Sequence, residues 1–247
     1  MLLKFICCDV FARVACALSA SSPHVVDVDF VPMLEHNEPR KLNKILQDKI
    51  DAIKTSGRKY DAVVLGFGLC GNAVIGLSCP VPMVIPRAHD CCTVHMGSRE
   101  KFLAAFEGLL SARWCSTGYY ERCNMINRNY FGTEQLSTYK TSAEYMSYVE
   151  KYGEDNADYI WQSLHPPIET DEAVYIKIDG FEHSGAFENY GAEIAKTDKK
   201  LKIVDGDISM LRALLDGDWD EDRFLTVPPN KKIAGVYDLR YVMEAGE

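Results

Sequence analysis

The sequence predicts an α/β fold: a parallel sheet with helices on both faces, arranged as two α/β lobes with a crevice at the strand carboxyl ends. Three observations predict it. Apolar runs of strand length recur along the chain, amphipathic helical segments separate them, and cap or turn residues stand at the junctions.

The elements follow in order. LLKFICC at residues 2–8 ends at Asp9 and reads as a strand buried on both faces. A second such run, residues 25–31, ends at Pro32. Pro39 opens a segment in which Leu42, Ile45, Leu46, Ile50 and Ile53 recur at helical spacing, and Gly57 stops it. YDAVVLGF at residues 60–67 is the clearest strand, and the turn Gly68-Leu69-Cys70-Gly71 and a short apolar helix through Leu77 are expected after it. Residues 82–86 form another buried strand, whose end delivers Arg87, His89, Asp90, Cys91 and Cys92. Ser98 caps a helix containing Phe102, Leu103 and Phe106. These elements make a first lobe over residues 1–110 that carries the Cys/His motifs.

Residues 111–247 are expected to hold an aromatic inter-lobe segment and the second lobe. The stretch 113–138 is rich in Trp, Tyr, Cys and Asn without a period, so it reads as a lid or an irregular connection. Thr141 and Glu144 make a capping box before a helix to Tyr152, which Gly153 ends. Residues 174–178, 201–204 and 224–227 read as strands, with a helix over 210–215 between the last two.

Composition narrows the class. The chain has 247 residues, 47% hydrophobic and 26% charged, a globular balance. Its net charge of -9 and the lack of a Lys/Arg stripe argue against a nucleic-acid partner. The apolar N-terminus is interrupted by Asp9 and Arg13 before it reaches membrane or signal-peptide length, so no membrane association and a cytoplasmic location are expected. Nine cysteines without an export signal point to thiols or metal ligands rather than disulfides. Cys16, Cys79 and Cys123 read as inert buried thiols.

In open α/β sheets, ligands bind outside the carboxyl ends of the strands. Three strand ends here carry thiols: Cys7 and Cys8, then Cys70, then Cys91 and Cys92. Cys70 stands where strand should turn into helix, a position that lowers a thiol pKa, and Gly68 and Gly71 let backbone approach a ligand. Beside this stands the plainer reading of Cys70 as a small residue filling a tight turn. His89 with Cys91 or Cys92 is a soft-ligand segment suited to zinc, iron, cobalt or nickel. Asp90 alternatively orients His89 for acid/base work, and Arg87 pairs with a carboxylate or phosphate. Asp9 faces the same rim or caps the next turn. His24, His36, His95, His165 and His183 read as structural or exposed, and Trp114, Tyr119 and Tyr120 as an aromatic wall or a satellite core.

Several ordered motifs together carry a resemblance: CDVFAR at residues 8–13, GFGLCGN at 66–72, PRAHDCCTVHMGSREKF at 86–102 and LLDGDWDEDRFLTVPP at 214–229. With these the chain resembles the domain of unknown function sixteen thirty-eight family of methanogens and anaerobic bacteria. The resemblance implies association with corrinoid-dependent methyl transfer, in which methyl groups pass between methylated substrates, cobalamin and a carrier such as tetrahydrofolate. The sequence departs from the family pattern at Ala73 and across Ser111-Ala112-Arg113-Trp114-Cys115, which makes Cys115 a candidate extra ligand.

The leading expectation is therefore a metal- or cofactor-binding protein of anaerobic one-carbon metabolism. Its metal, zinc first, is held by Cys70, His89 and Cys91 or Cys92, with Cys8 as the candidate fourth ligand. Cys70, Asp90 and Arg87 are the candidate catalytic residues, and Gly68, Gly71, Asn72 and Asp9 the candidate cofactor contacts. A corrinoid or tetrahydrofolate would reach it through a partner such as a corrinoid protein. Two alternatives stand beside it: a metal-free Cys-based acid/base enzyme acting on a small carboxylate, and a non-catalytic binding partner of a corrinoid protein.

Overall fold

The computed structural model describes residues 1–107, 113–126, 143–154, 156–157, 160, 171–236 and 241–247. The chain begins with β1 (Leu2–Cys8), α1 (Ala12–Ser21), β2 (Val25–Val31), α2 (Pro39–Asp51), β3 (Ala62–Gly66) and β4 (Met83–Pro86). The sheet order is β2-β1-β3-β4, and all three pairings are parallel. Every residue of β3 and β4 is buried, as runs without polar interruption require when helices cover both faces.

β2 differs from its expected burial on both faces. It is an edge strand of this sheet, and most of its residues are only partly buried. Its Asp29 pairs with Lys4 and Lys49, and its Asp27 with Arg58 and Tyr60. Charges placed this way blunt an exposed sheet edge.

α2 forms as its spacing dictates. Pro39 sits in the first turn, where its missing N–H costs nothing, and Leu42, Leu46 and Ile50 are fully buried on one face. Each such side chain contributes about 2 kcal/mol of burial free energy. Two short helices follow β4: α3 (Cys91–His95), capped by Asp90, and α4 (Arg99–Ala105), capped by Ser98.

The segment expected to be irregular is regular where it is described. β5 (Arg113–Ser116) leads directly into α5 (Thr117–Ile126), while residues 127–138 lie outside the described residues. Four residues are too few to show a period, and β5 takes its extended form from pairing with β6 (Glu172–Lys177). The expected helix appears as α6 (Ala143–Tyr152) with Gly153 at its end; Thr141 lies outside the described residues. α7 (Ala186–Ile194) then connects β6 to β7 (Lys200–Asp205), giving a second parallel sheet in the order β5-β6-β7.

The chain then returns to the first sheet, so the lobe expected over residues 111–247 is not self-contained. α8 (Ser209–Asp216) packs on α1, and β8 (Phe224–Val227) pairs antiparallel with β4. An antiparallel hairpin of β9 (Lys232–Gly235) and β10 (Met243–Gly246) closes the chain. One core cluster runs from Phe5 through Val174, Ile176 and Val204 to Met243, so the two sheets share an interior. They meet tightly at Gly118, where an added Cβ would lie 1.8 Å from the Val10 carbonyl oxygen. Arg13 of α1 adds a bidentate pair to Glu121 of α5, with N···O distances of 2.6 to 2.9 Å. No helix among the described residues is long and apolar enough to cross a membrane.

Candidate functional site

The strands ending near Cys8, Phe67 and Ile85 are adjacent and parallel, as a shared rim requires. Cys7 lies opposite Gly66, and Val64 opposite Val84. The loops leaving β3 and β4 are joined by main-chain bonds. The Leu69 N–H donates to the Ala88 carbonyl at 2.8 Å and the Cys70 N–H to the His89 carbonyl at 2.9 Å. Gly68 makes this approach possible, because a Cβ there would stand 2.7 Å from the Asp90 nitrogen.

The short helix expected after Gly71 does not form. Cys70, Gly71 and Asn72 have φ of 47°, 65° and 71°, a left-handed run that cannot begin a right-handed helix, and turns continue to Gly76. Cys70 therefore has no helix dipole behind it. Its thiol is pushed up to about 12, first by burial and further by the Asp90 carboxylate, with the Gly68 backbone pulling the other way. The lowered pKa expected of Cys70 is thus reversed, for want of the helix that would cause it.

Three of the candidate ligands feel one another electrostatically. Burial pushes the Cys91 thiol well up, and the neighbouring Cys70 and Cys8 sulfurs push it further. Cys8 is raised in the same way, by burial first and then by Cys7 and Cys70 among its neighbours. Cys8, Cys70 and Cys91, one from each of three adjacent strand ends, thus lie within electrostatic reach of one another. All three are held as neutral thiols at neutral pH.

The other candidates are placed elsewhere or occupied. Cys92 is 1% exposed in the main core, and His89 is exposed while its carbonyl holds Cys70. Asp90 Oδ1 accepts the Thr93 N–H at 2.9 Å as the cap of α3. Arg87 donates to the carbonyls of Glu221, Tyr241 and Met243 and lies over the Tyr241 ring, so its guanidinium fastens the C-terminal hairpin. Asp9 Oδ1 accepts the Met33 N–H at 2.9 Å, and its Oδ2 stands 3.7 Å from Arg122; burial still raises its carboxyl. Gly71 and Asn72 are exposed in the turn.

Cys115 is fully buried in the second core with Tyr120 and Tyr175. Cys79 and Cys123 are buried as expected, whereas Cys16 is exposed on α1. Trp114, Tyr119 and Tyr120 pack into the cores rather than lining an open wall. Among the described residues, no three His, Cys, Asp or Glu side chains are so arranged that they could hold a metal ion as they stand.

Two histidines carry more than their sequence context announced. His36, in the turn after β2, stacks on Phe67 at 5.8 Å and 21°, and its Nε2 is buried without a hydrogen-bond partner. His95 is 4% exposed between the Phe11 and Trp114 rings, and its Nε2 stands 3.2 Å from Ser116 Oγ. Burial lowers the His95 pKa to about 3. No spacing signal marked either residue, because each acquires its neighbours from a different strand end. His165 lies outside the described residues.

A family model described as a protein of unknown function (DUF1638) matches residues 30–215, a span that includes the Cys70 and Cys91 loops. No curated protein and no solved structure matches the chain. With a match over most of its length, on the segment that holds β3, β4, the two joined loops and the second sheet, the chain belongs to the DUF1638 family of proteins of unknown function.

Proposed function

We propose that this chain is a cytoplasmic metal- or cofactor-binding protein of anaerobic one-carbon metabolism, with Cys8, Cys70 and Cys91 as the ligands of a soft metal ion, zinc first. One observation carries the reading: three thiols delivered by three adjacent parallel strand ends lie within electrostatic reach of one another at the rim where open sheets bind ligands. Thiol donors suit zinc, iron, cobalt or nickel.

The residues' own contribution is electrostatic. Each thiol alone resists ionisation because an uncompensated thiolate would be buried, so cation binding and proton release are coupled. The joined loops fix the Cys70 backbone against that of His89, and Asp90 holds α3 so that Cys91 stays at the rim. A bound zinc would supply Lewis acidity, lowering the pKa of a substrate thiol for methyl transfer. The link to corrinoid and tetrahydrofolate chemistry, and to a corrinoid protein as partner, comes from what the family resemblance implies. The metal-free alternative draws no support from a Cys70 thiol raised to about 12.

Titration with Co2+ under anaerobic conditions tests the reading. A thiolate-to-cobalt absorption band at about one equivalent is expected, lost in Cys70→Ser and Cys91→Ser and kept in His89→Ala and Cys92→Ser. Absence of the band in the unaltered chain, or its survival in both thiol variants, overturns the proposal.

A further inference from the structure

We infer that the cleft at the carboxyl ends of β5 and β6 binds a small alkylammonium ion. None of the nine cysteines lines this cleft, so the inference stands apart from the thiol rim. The cleft holds about 200 Å³ of open space. It lies where parallel strands release their chain into loops, the general location of ligands in open α/β sheets.

Its floor is polar and buried. The Thr117 and Tyr175 hydroxyls stand 3.0 Å apart, both residues are buried, and burial pushes the Tyr175 phenol up to about 12. Between them the two hydroxyls have more lone pairs than the single bond joining them uses, so the floor can accept a hydrogen bond from a ligand. The walls are aromatic: Phe181 comes from the loop after β6, and Phe187 from α7, packed edge to face on Tyr175 at 5.1 Å.

Charge selects the ligand. Lys177 is the cleft's cation, and it stands 3.7 Å from Asp179 and 3.8 Å from Glu182, so two carboxylates already face it. Glu188, on the first turn of α7, also lines the cleft and forms no ion pair among the described residues. The surplus is negative, and aromatic faces beside a carboxylate attract an organic cation. An ammonium group can donate to Glu188 and to the hydroxyl floor while its alkyl chain covers Phe187 and Ile203, which is half exposed at the rim.

Saturation-transfer NMR on the full chain with butylammonium, 1-butanol and butyrate, three probes of similar shape and different charge, tests this. Butylammonium is expected to bind on the order of tenfold tighter than 1-butanol. Glu188→Gln and Phe187→Leu should weaken it, and Lys177→Gln should strengthen it. Glu188 is exposed, so its replacement leaves folding intact. Equal binding of the three probes, a preference for butyrate, or unchanged affinity in Glu188→Gln overturns the inference. The cobalt titration of the thiols is unaffected by any of these results, so the two readings fail separately.

Discussion

The main-chain N–H of Cys70 donates to the carbonyl of His89 at 2.9 Å, so two residues expected to share a metal are joined by their backbones. His89 is exposed, and the Cys70 thiol interacts electrostatically with Cys8, Cys91 and Asp90. Four expected outcomes follow from this arrangement and its surroundings.

Gly68→Ala places a methyl group 2.7 Å from the Asp90 nitrogen and 2.8 Å from the Ala88 carbonyl oxygen, both backbone atoms that cannot swing aside. The loops must part. Urea unfolding should show a loss of about 2 to 3 kcal/mol, and Cys70 should react faster with a thiol reagent. Unchanged stability together with unchanged labelling would show that the contact is not maintained.

The thiols set an alkaline limit. Cys8, Cys70 and Cys91 are raised in the folded chain above their unfolded value, so the stability they contribute is complete below about pH 8.5 and declines as pH rises towards the folded values. At pH 7, iodoacetamide should label the exposed Cys16 well before Cys70. Mass-resolved labelling reads the order, and prior labelling of Cys70 would contradict the burial argument.

His95 sets an acid limit. Its pKa is about 3 when folded and about 6.5 when unfolded, so the neutral ring's contribution is complete above pH 6.5 and is lost as pH falls towards 3. The loss at pH 5 is about 2 kcal/mol from this residue. His95→Gln keeps a hydrogen-bonding group near Ser116 and removes the titration, so its unfolding free energy should fall less steeply between pH 7 and 5. Parallel pH profiles for the two chains would refute the assignment.

Arg87 fastens the C-terminal hairpin through the Tyr241 and Met243 carbonyls and also holds the Glu221 carbonyl, and a lysine cannot reproduce the planar fork. Arg87→Ala and Arg87→Lys should both lower stability, by about 2 to 4 kcal/mol for alanine, while the cobalt band of the thiols remains. Loss of the band in a chain that is still folded would return Arg87 to the ligand site.

The sequence by itself determined the α/β class, most strand and helix positions and the thiols at three successive strand ends. Buried strands and one-faced helices write their burial into local spacing, as in the all-apolar AVVLG of β3 and the Leu42, Leu46 and Ile50 stripe of α2. Three things were decided only by tertiary structure. The four residues of β5 are extended because β6 pairs with them, and β8 joins the first sheet by a register that no local pattern encodes. The left-handed run at residues 70–72 replaces a helix because Gly68 draws the loop against Ala88 and His89. The directions of side chains on short loops were illegible for the same reason. Whether Cys91 faces the rim while Cys92 faces the core, or Arg87 a ligand or a hairpin, is fixed by contacts with residues far away in the chain, and a linear spacing carries no record of them.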